Sequence, residues 1–192
     1  MNKGETLSSI EKAVDLVKKF GFRALAYVLL KPPFLTEREA IEEAIATVKY
    51  AFEVGFDAVS IEPVSVHDYS LVDVLYLKGL FTPPWLWSVL AVAQVAVNLG
   101  EVRIGGREYY PRPEIVAHNR HKGSDCTQLC WKAISAYNVT HDPSFLYLIN
   151  CDCKRQWLEE LDQMAPPLKE RLQVLEQISI EEYCTLKRGG KV

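Results

Sequence analysis

The sequence predicts an α/β fold: a partial (β/α) barrel of about three parallel strands, followed by a cysteine-rich α+β extension. Three observations carry this expectation. Segments of helical period alternate with short apolar runs of strand length. Those runs stop at proline or glycine, as ladders do. Four of the five cysteines then gather in the last third, where the rhythm changes. A closed eight-stranded barrel needs far more chain than 192 residues. The expected division is a barrel portion over residues 1–112 and a metal-binding, helical extension over residues 113–192.

The elements follow in order. "SSIEKAVDLVKKFG" places Ile10, Ala13, Val14 and Val17 at helical spacing, with Ser8 and Glu11 suited to a capping box and Gly21 to the stop. "FRALAYVLL" is apolar at nearly every position, which predicts a strand buried on both faces. "KPPF" ends it, and Thr36 with Glu39 opens a second helix that runs to Gly55. "DAVSIEPV" reads as the second strand, "YSLVDVLYLKG" and "PPWLWSVLAVAQVAVNLG" as two helices, and "EVRIGG" as a third, short strand. This order implies parallel strands joined by right-handed helical crossovers. In the extension, "DCTQLCWKAISAYNV" reads as a helix, "SFLYLINC" as a strand, and "KRQWLEELDQM" and "PPLKERLQVLEQI" as two amphipathic helices. The tail "LKRGGKV" is expected to fray.

Composition narrows the function classes. Apolar residues make up 48% and charged residues 24%, so the chain can bury a core without disulfide staples. A net charge of −3 gives no sign of a dominant nucleic-acid-binding surface. The first residues contain no apolar signal segment, and the most apolar stretch is interrupted by Gln94 and Asn98. A cytoplasmic protein without a membrane span is expected. In that reducing setting, clustered cysteines bind metal more often than they pair.

Cys126 and Cys130 form C-x3-C at the start of a predicted helix, and Cys151 and Cys153 form C-x-C at a predicted strand end. Residues i and i+4 share a helix face. A C-x-C pair can aim both sulfurs one way once the chain leaves the pleat. Two such half-sites make a tetrahedral tetrathiolate site, suited to zinc or an auxiliary iron–sulfur cluster. His118 and His121 lie just upstream and can replace one sulfur. Reduced core cysteines and a redox disulfide are the competing readings. Within the metal reading structural zinc is favoured, because nothing beside the site resembles an open catalytic position. Cys184 stands apart as a helix residue.

Other candidates lie at predicted strand ends. Lys31 follows the first strand and Glu62 closes the second, where parallel α/β folds place ligands. His67 and Asp68 follow Glu62, and Gly105 and Gly106 follow the third strand. A surface lysine, a helix-capping carboxylate, and Trp85 and Trp87 packed on the sheet are the plain structural readings. No phosphate loop, nucleophile elbow or zinc-protease motif is present.

"YVLLKPPFLTEREAIEEAI", "PPWLWSV", "DCTQLCWKAISAYNVTHD" and "CDCKRQW" together resemble the C-terminal half of the radical S-adenosylmethionine proteins of archaeosine biosynthesis. Those belong with the elongator catalytic subunit and the tRNA methylthiotransferases. The resemblance runs from about Lys3 to Trp157. It implies a partial barrel, a 4Fe–4S cluster that cleaves S-adenosylmethionine to a 5′-deoxyadenosyl radical, and a tRNA-linked substrate. It also implies that Lys31 and Glu62 sit at the barrel mouth beside S-adenosylmethionine. Two departures matter. The cluster of such proteins is held by C-x3-C-x2-C, and here the third position after "CTQLC" is Ala133. Where the family reads His-Asn-Cys, this chain reads Ser124-Asp125-Cys126.

The leading expectation is therefore the portion that follows the cluster-binding half, inactive alone. It would be completed by an N-terminal half-barrel subunit or a second copy, with tRNA as a further partner. A non-catalytic, zinc-knotted module that binds protein or RNA is the rival, and it too would expose an apolar edge. The third reading is a small acid–base enzyme using Lys31, Glu62 and His67, which needs all three in one pocket.

Overall fold

The computed structural model describes residues 4–106, 112–121, 123–179 and 183–184. Three parallel strands form its sheet: β1 (Leu25–Leu30), β2 (Ala58–Pro63) and β3 (Glu101–Ile104), in the order β1-β2-β3. Leu25 is in register with Ala58, and Ala58 with Glu101. The βαβ rhythm of the sequence thus yields the parallel ladder it predicts.

The helices are α1 (Leu7–Lys19), α2 (Glu37–Val54), α3 (Leu71–Leu77), α4 (Leu86–Ala96), α5 (Cys126–Thr140), α6 (Cys153–Leu161) and α7 (Leu168–Leu172). Thr36 and Glu39 close the expected capping box on α2, and Gly55 ends that helix at φ 104°, a left-handed position that suits glycine. The α1 cap differs from expectation. Thr6 is the N-cap and Ser9 completes the box, so the helix begins two residues earlier than Ser8 and Glu11 suggest.

Both α2 and α4 pack on one face of the sheet, formed by Val28, Leu30, Val59, Ile61, Val102 and Ile104. Ala40, Ala44 and Ala51 give α2 a small-residue stripe, which lets it approach the strands closely. α4 is buried nearly all round because α6 and the segment Pro143–Tyr147 cover its outer side.

The opposite sheet face has no helical cover among the described residues. Tyr27 on β1 is 74% exposed and Leu29 42%. This corrects the expectation that β1 is buried on both faces. The strand alternates, with Val28 and Leu30 inward and Tyr27 and Leu29 outward. β1 is also an edge, paired on one side only among the described residues.

The extension departs further. "SFLYLINC" is not a strand. Asp142 caps a 3-10 helix over Pro143–Tyr147 by accepting from the Ser144 N–H, and the chain then runs irregularly to Cys151. The only β pairing described there is a bridge between Ile115 and Val66. The tail beyond Cys184 lies outside the described residues. Among the described residues no helix is long and apolar enough to cross a membrane.

Candidate metal centre

Two helix starts and one loop build the centre. Cys126 is the first residue of α5 and Cys153 the first residue of α6. Each sulfur therefore stands beside the N-terminal end of a helix. Cys151 precedes α6 by one turn residue, Asp152, and the Cys153 N–H donates to its sulfur. The C-x-C pair thus converges through a turn leading into a helix rather than through a strand end. His121 arrives on the loop before α5. That loop is fixed to the helix by Thr127, whose Oγ accepts from the Asn119 N–H at 3.0 Å and donates to the Asn119 carbonyl at 3.2 Å.

The donor atoms of His121, Cys126, Cys151 and Cys153 all lie within 4.8 Å of one another. Cys126 Sγ is 3.7 Å from Cys153 Sγ, and His121 Nδ1 is 3.1 Å from Cys151 Sγ. A tetrahedral zinc with bonds of about 2.3 Å to sulfur separates two sulfurs by roughly 3.8 Å. A disulfide requires about 2.05 Å. Thiolates on different irons of one cluster stand further apart than a single tetrahedron edge. Three sulfurs and one imidazole at this spacing can hold one metal ion.

Electrostatics point the same way. Burial pushes the Cys153 thiol up, while the Cys153 N–H and His121 outweigh burial at Cys151 and bring its thiol down. Three thiolates this close repel one another, and a cation is what stabilises them together. The wall is apolar and donates one hydrogen bond: Trp87 Nε1 to Cys153 Sγ at 3.2 Å.

Cys130 stands outside this group of four. It is fully buried, its sulfur accepts from Asn119 Nδ2 at 3.3 Å, and burial pushes its thiol up to about 12. His118 turns away, its Nδ1 2.9 Å from the Val116 carbonyl. Cys184 is exposed.

Lys31 and Glu62 occupy opposite sides of the sheet. Lys31, at φ 60°, turns to the helical side, where Nζ meets Glu37 Oε1 at 2.5 Å and Thr82 Oγ1 at 3.3 Å. Glu62 lies on the uncovered side, accepting from Ser60 Oγ at 2.6 Å. An added Cβ on Gly105 would meet the Glu62 carboxylate at 2.1 Å, so a side chain there would push that carboxylate aside. Lys31 and Glu62 therefore cannot share one acid–base pocket, and His67 follows β2 on a loop of its own. Sequence reasoning passed over Glu37, Arg120 and Glu160, which form a charged network near Lys31. Helix-surface carboxylates and a loop arginine carry no distinguishing pattern.

No family model matches the chain. Curated relatives do. The chain is similar to archaeosine synthase subunit beta. It is 29% identical to the protein of that name from Methanosarcina acetivorans, over 84% of this chain and 46% of the relative. Against the one from Thermococcus kodakarensis it is 30% identical, over 82% of this chain and 48% of the relative. An uncharacterized protein of Methanocaldococcus jannaschii is 30% identical, over 82% of this chain and 43% of the relative. The chain thus spans less than half the length of the curated relatives it matches.

Proposed function

We propose that this chain is the C-terminal portion of a radical S-adenosylmethionine enzyme subunit that modifies tRNA. The observation that carries the reading is the similarity to two proteins named archaeosine synthase subunit beta, across more than four-fifths of this chain. The sheet supports it. A three-stranded parallel sheet with helices on one face and an open β1 edge is the shape of a barrel segment awaiting neighbours. On this reading Tyr27, Ser60, Glu62 and Arg103 line the barrel interior, and the partner is a cluster-bearing N-terminal half-barrel. A 4Fe–4S cluster held by that half would supply the 5′-deoxyadenosyl radical. The chain's own residues would shape the pocket wall and hold tRNA in reach. His121, Cys126, Cys151 and Cys153 hold zinc as a closed structural knot, because all four tetrahedral positions are protein donors.

The test is anaerobic. The chain is assayed for cleavage of S-adenosylmethionine to 5′-deoxyadenosine, alone and co-expressed with the N-terminal half of the Thermococcus relative. No cleavage alone and cleavage in the pair are expected, together with about one zinc per chain by elemental analysis. Cleavage by the chain alone, or none by a stable pair, overturns the enzymatic reading. Less than about a tenth of an equivalent of zinc or iron overturns the metal reading.

A further inference from the structure

The metal centre and the cleft at the end of β1 are linked through one side chain, Arg120. The cleft, of 470 Å³, opens beside the end of β1 and is lined by Lys31, Phe34, Glu37, Thr82, Glu160 and Arg171, among others. Lys31 and Phe34 flank two prolines there, and both hold positive φ, at 60° and 76°. Backbone strain of this kind persists only where surrounding contacts impose it.

Arg120 is the residue next to His121. Its guanidinium lies behind the cleft, against Glu37, Thr82 and Glu160, which line it. Nη1 donates to Glu160 Oε2, while Nη2 donates to Thr82 Oγ1 at 2.9 Å and to the Pro83 carbonyl at 3.3 Å. The same Nη2 lies 3.7 Å from Glu37 Oε1, and the guanidinium sits 4.7 Å above the Trp85 ring. Thr82 Oγ1 also accepts from Lys31 Nζ, so Arg120 and Lys31 share one hydroxyl and one carboxylate.

Glu160 comes from the other half of the metal centre. It lies two turns beyond Cys153 on α6, on the same helix face, and also accepts from Trp85 Nε1 at 2.8 Å. Both partners of the Arg120–Glu160 pair are thus carried by segments that the four donors tie together: the His121 loop and the Cys151–Cys153 turn. Without the ion, neither segment has a covalent or coordinate restraint holding it to the other.

We infer that Arg120 is a positioning residue through which the metal knot assembles the cleft at the end of β1. The ion fixes the loop and α6, their Arg120–Glu160 pair closes the rear wall, and Glu37 and Thr82 then hold Lys31 in its strained place. This rests on the proposed metal binding but not on the proposed enzymatic reading.

The experiment is amide hydrogen exchange on the zinc-loaded full chain and on the same chain after chelation, for wild type and Arg120→Gln. Zinc content is measured in parallel. In wild type, chelation is expected to speed exchange by about tenfold or more at residues 119–131 and 151–161, and also at residues 31–37 and 79–85. In Arg120→Gln, zinc stays at one per chain and the knot keeps its metal-dependent protection. Residues 31–37 and 79–85 exchange fast in that variant with or without zinc. A merely stabilising arginine would instead speed exchange everywhere and leave the metal response at residues 31–37 intact, which overturns the inference. Wild-type chelation that leaves residues 31–37 unchanged, or that unfolds β1–β3 uniformly, overturns it as well. Should Arg120→Gln fail to take up zinc, Glu160→Gln tests the same pair from a position two helical turns beyond Cys153. No change at residues 119–131 when the wild type is chelated would mark failure of the metal reading instead.

Discussion

Cys126 Sγ stands 3.7 Å from Cys153 Sγ, although the two residues open different helices. This pair separates the ligand set from the fourth nearby cysteine. Cys126→Ser and Cys153→Ser are each expected to lose most bound zinc. Each should cost about 3 kcal/mol or more of the roughly 10–16 kcal/mol that a structural zinc supplies. Cys130→Ser should keep one zinc and lose only about 1 kcal/mol, the cost of a changed group in a close-packed site. Elemental analysis and thermal unfolding read both effects. Loss of zinc in Cys130→Ser with retention in His121→Ala would reassign the fourth donor.

Trp87 donates its indole N–H to the Cys153 sulfur. Trp87→Phe keeps the packed ring and removes that donor. Zinc affinity should fall by about 10–100-fold, the usual effect of losing a hydrogen bond to a ligand atom. Trp157, whose Nε1 donates to Ser88 Oγ, is the control: Trp157→Phe should leave zinc affinity unchanged. Competition with a chromophoric chelator measures both.

Glu37 is fully buried, and it meets Lys31 Nζ at 2.5 Å and Ser88 Oγ at 2.5 Å. Glu37→Ala leaves the buried Lys31 without its carboxylate and should cost about 3–5 kcal/mol. Lys31→Met combined with Glu37→Leu removes both charges and should recover most of that loss. Chemical denaturation of the single and double variants gives the coupling directly.

Arg171 holds α7 against α2 through two hydrogen bonds to Glu39, at 2.6 and 2.8 Å. That pairing lowers the Glu39 carboxyl to about 2 from 4.5, against the upward push of burial. A depressed carboxyl stabilises the fold above its unfolded value and loses that contribution as pH falls toward the folded one. α7 should therefore detach between about pH 4.5 and pH 2. Arg171→Gln should release it already at neutral pH. Amide signals of Leu168–Leu172 followed by NMR against pH test this.

Much of the fold was legible because turn chemistry and period agreed with it. Thr36, Glu39, Gly55 and the proline stops marked α2 and β2 from the sequence alone. β1 was misjudged because an unbroken apolar run reads the same whether or not its second face is covered. "SFLYLINC" was misjudged because Asp142 and Pro143 start a capped turn that overrides its strand-like composition. At the metal centre, Cys126, Cys130, Cys151, Cys153 and the two upstream histidines were visible as candidates. Their convergence was not, because it depends on where α5 and α6 begin in space, and the group that converges takes His121 in place of Cys130. The charged network around Glu37 left no trace, since burial of a helix carboxylate is decided by what packs over it.

The open flank of β1 also bears on handling. Its outward Tyr27 and Leu29 carry no charge, and no proline interrupts the strand. Such a flank will zip onto any extended peptide it meets, its own copies included. Concentrated preparations of this polypeptide should therefore turn turbid on standing.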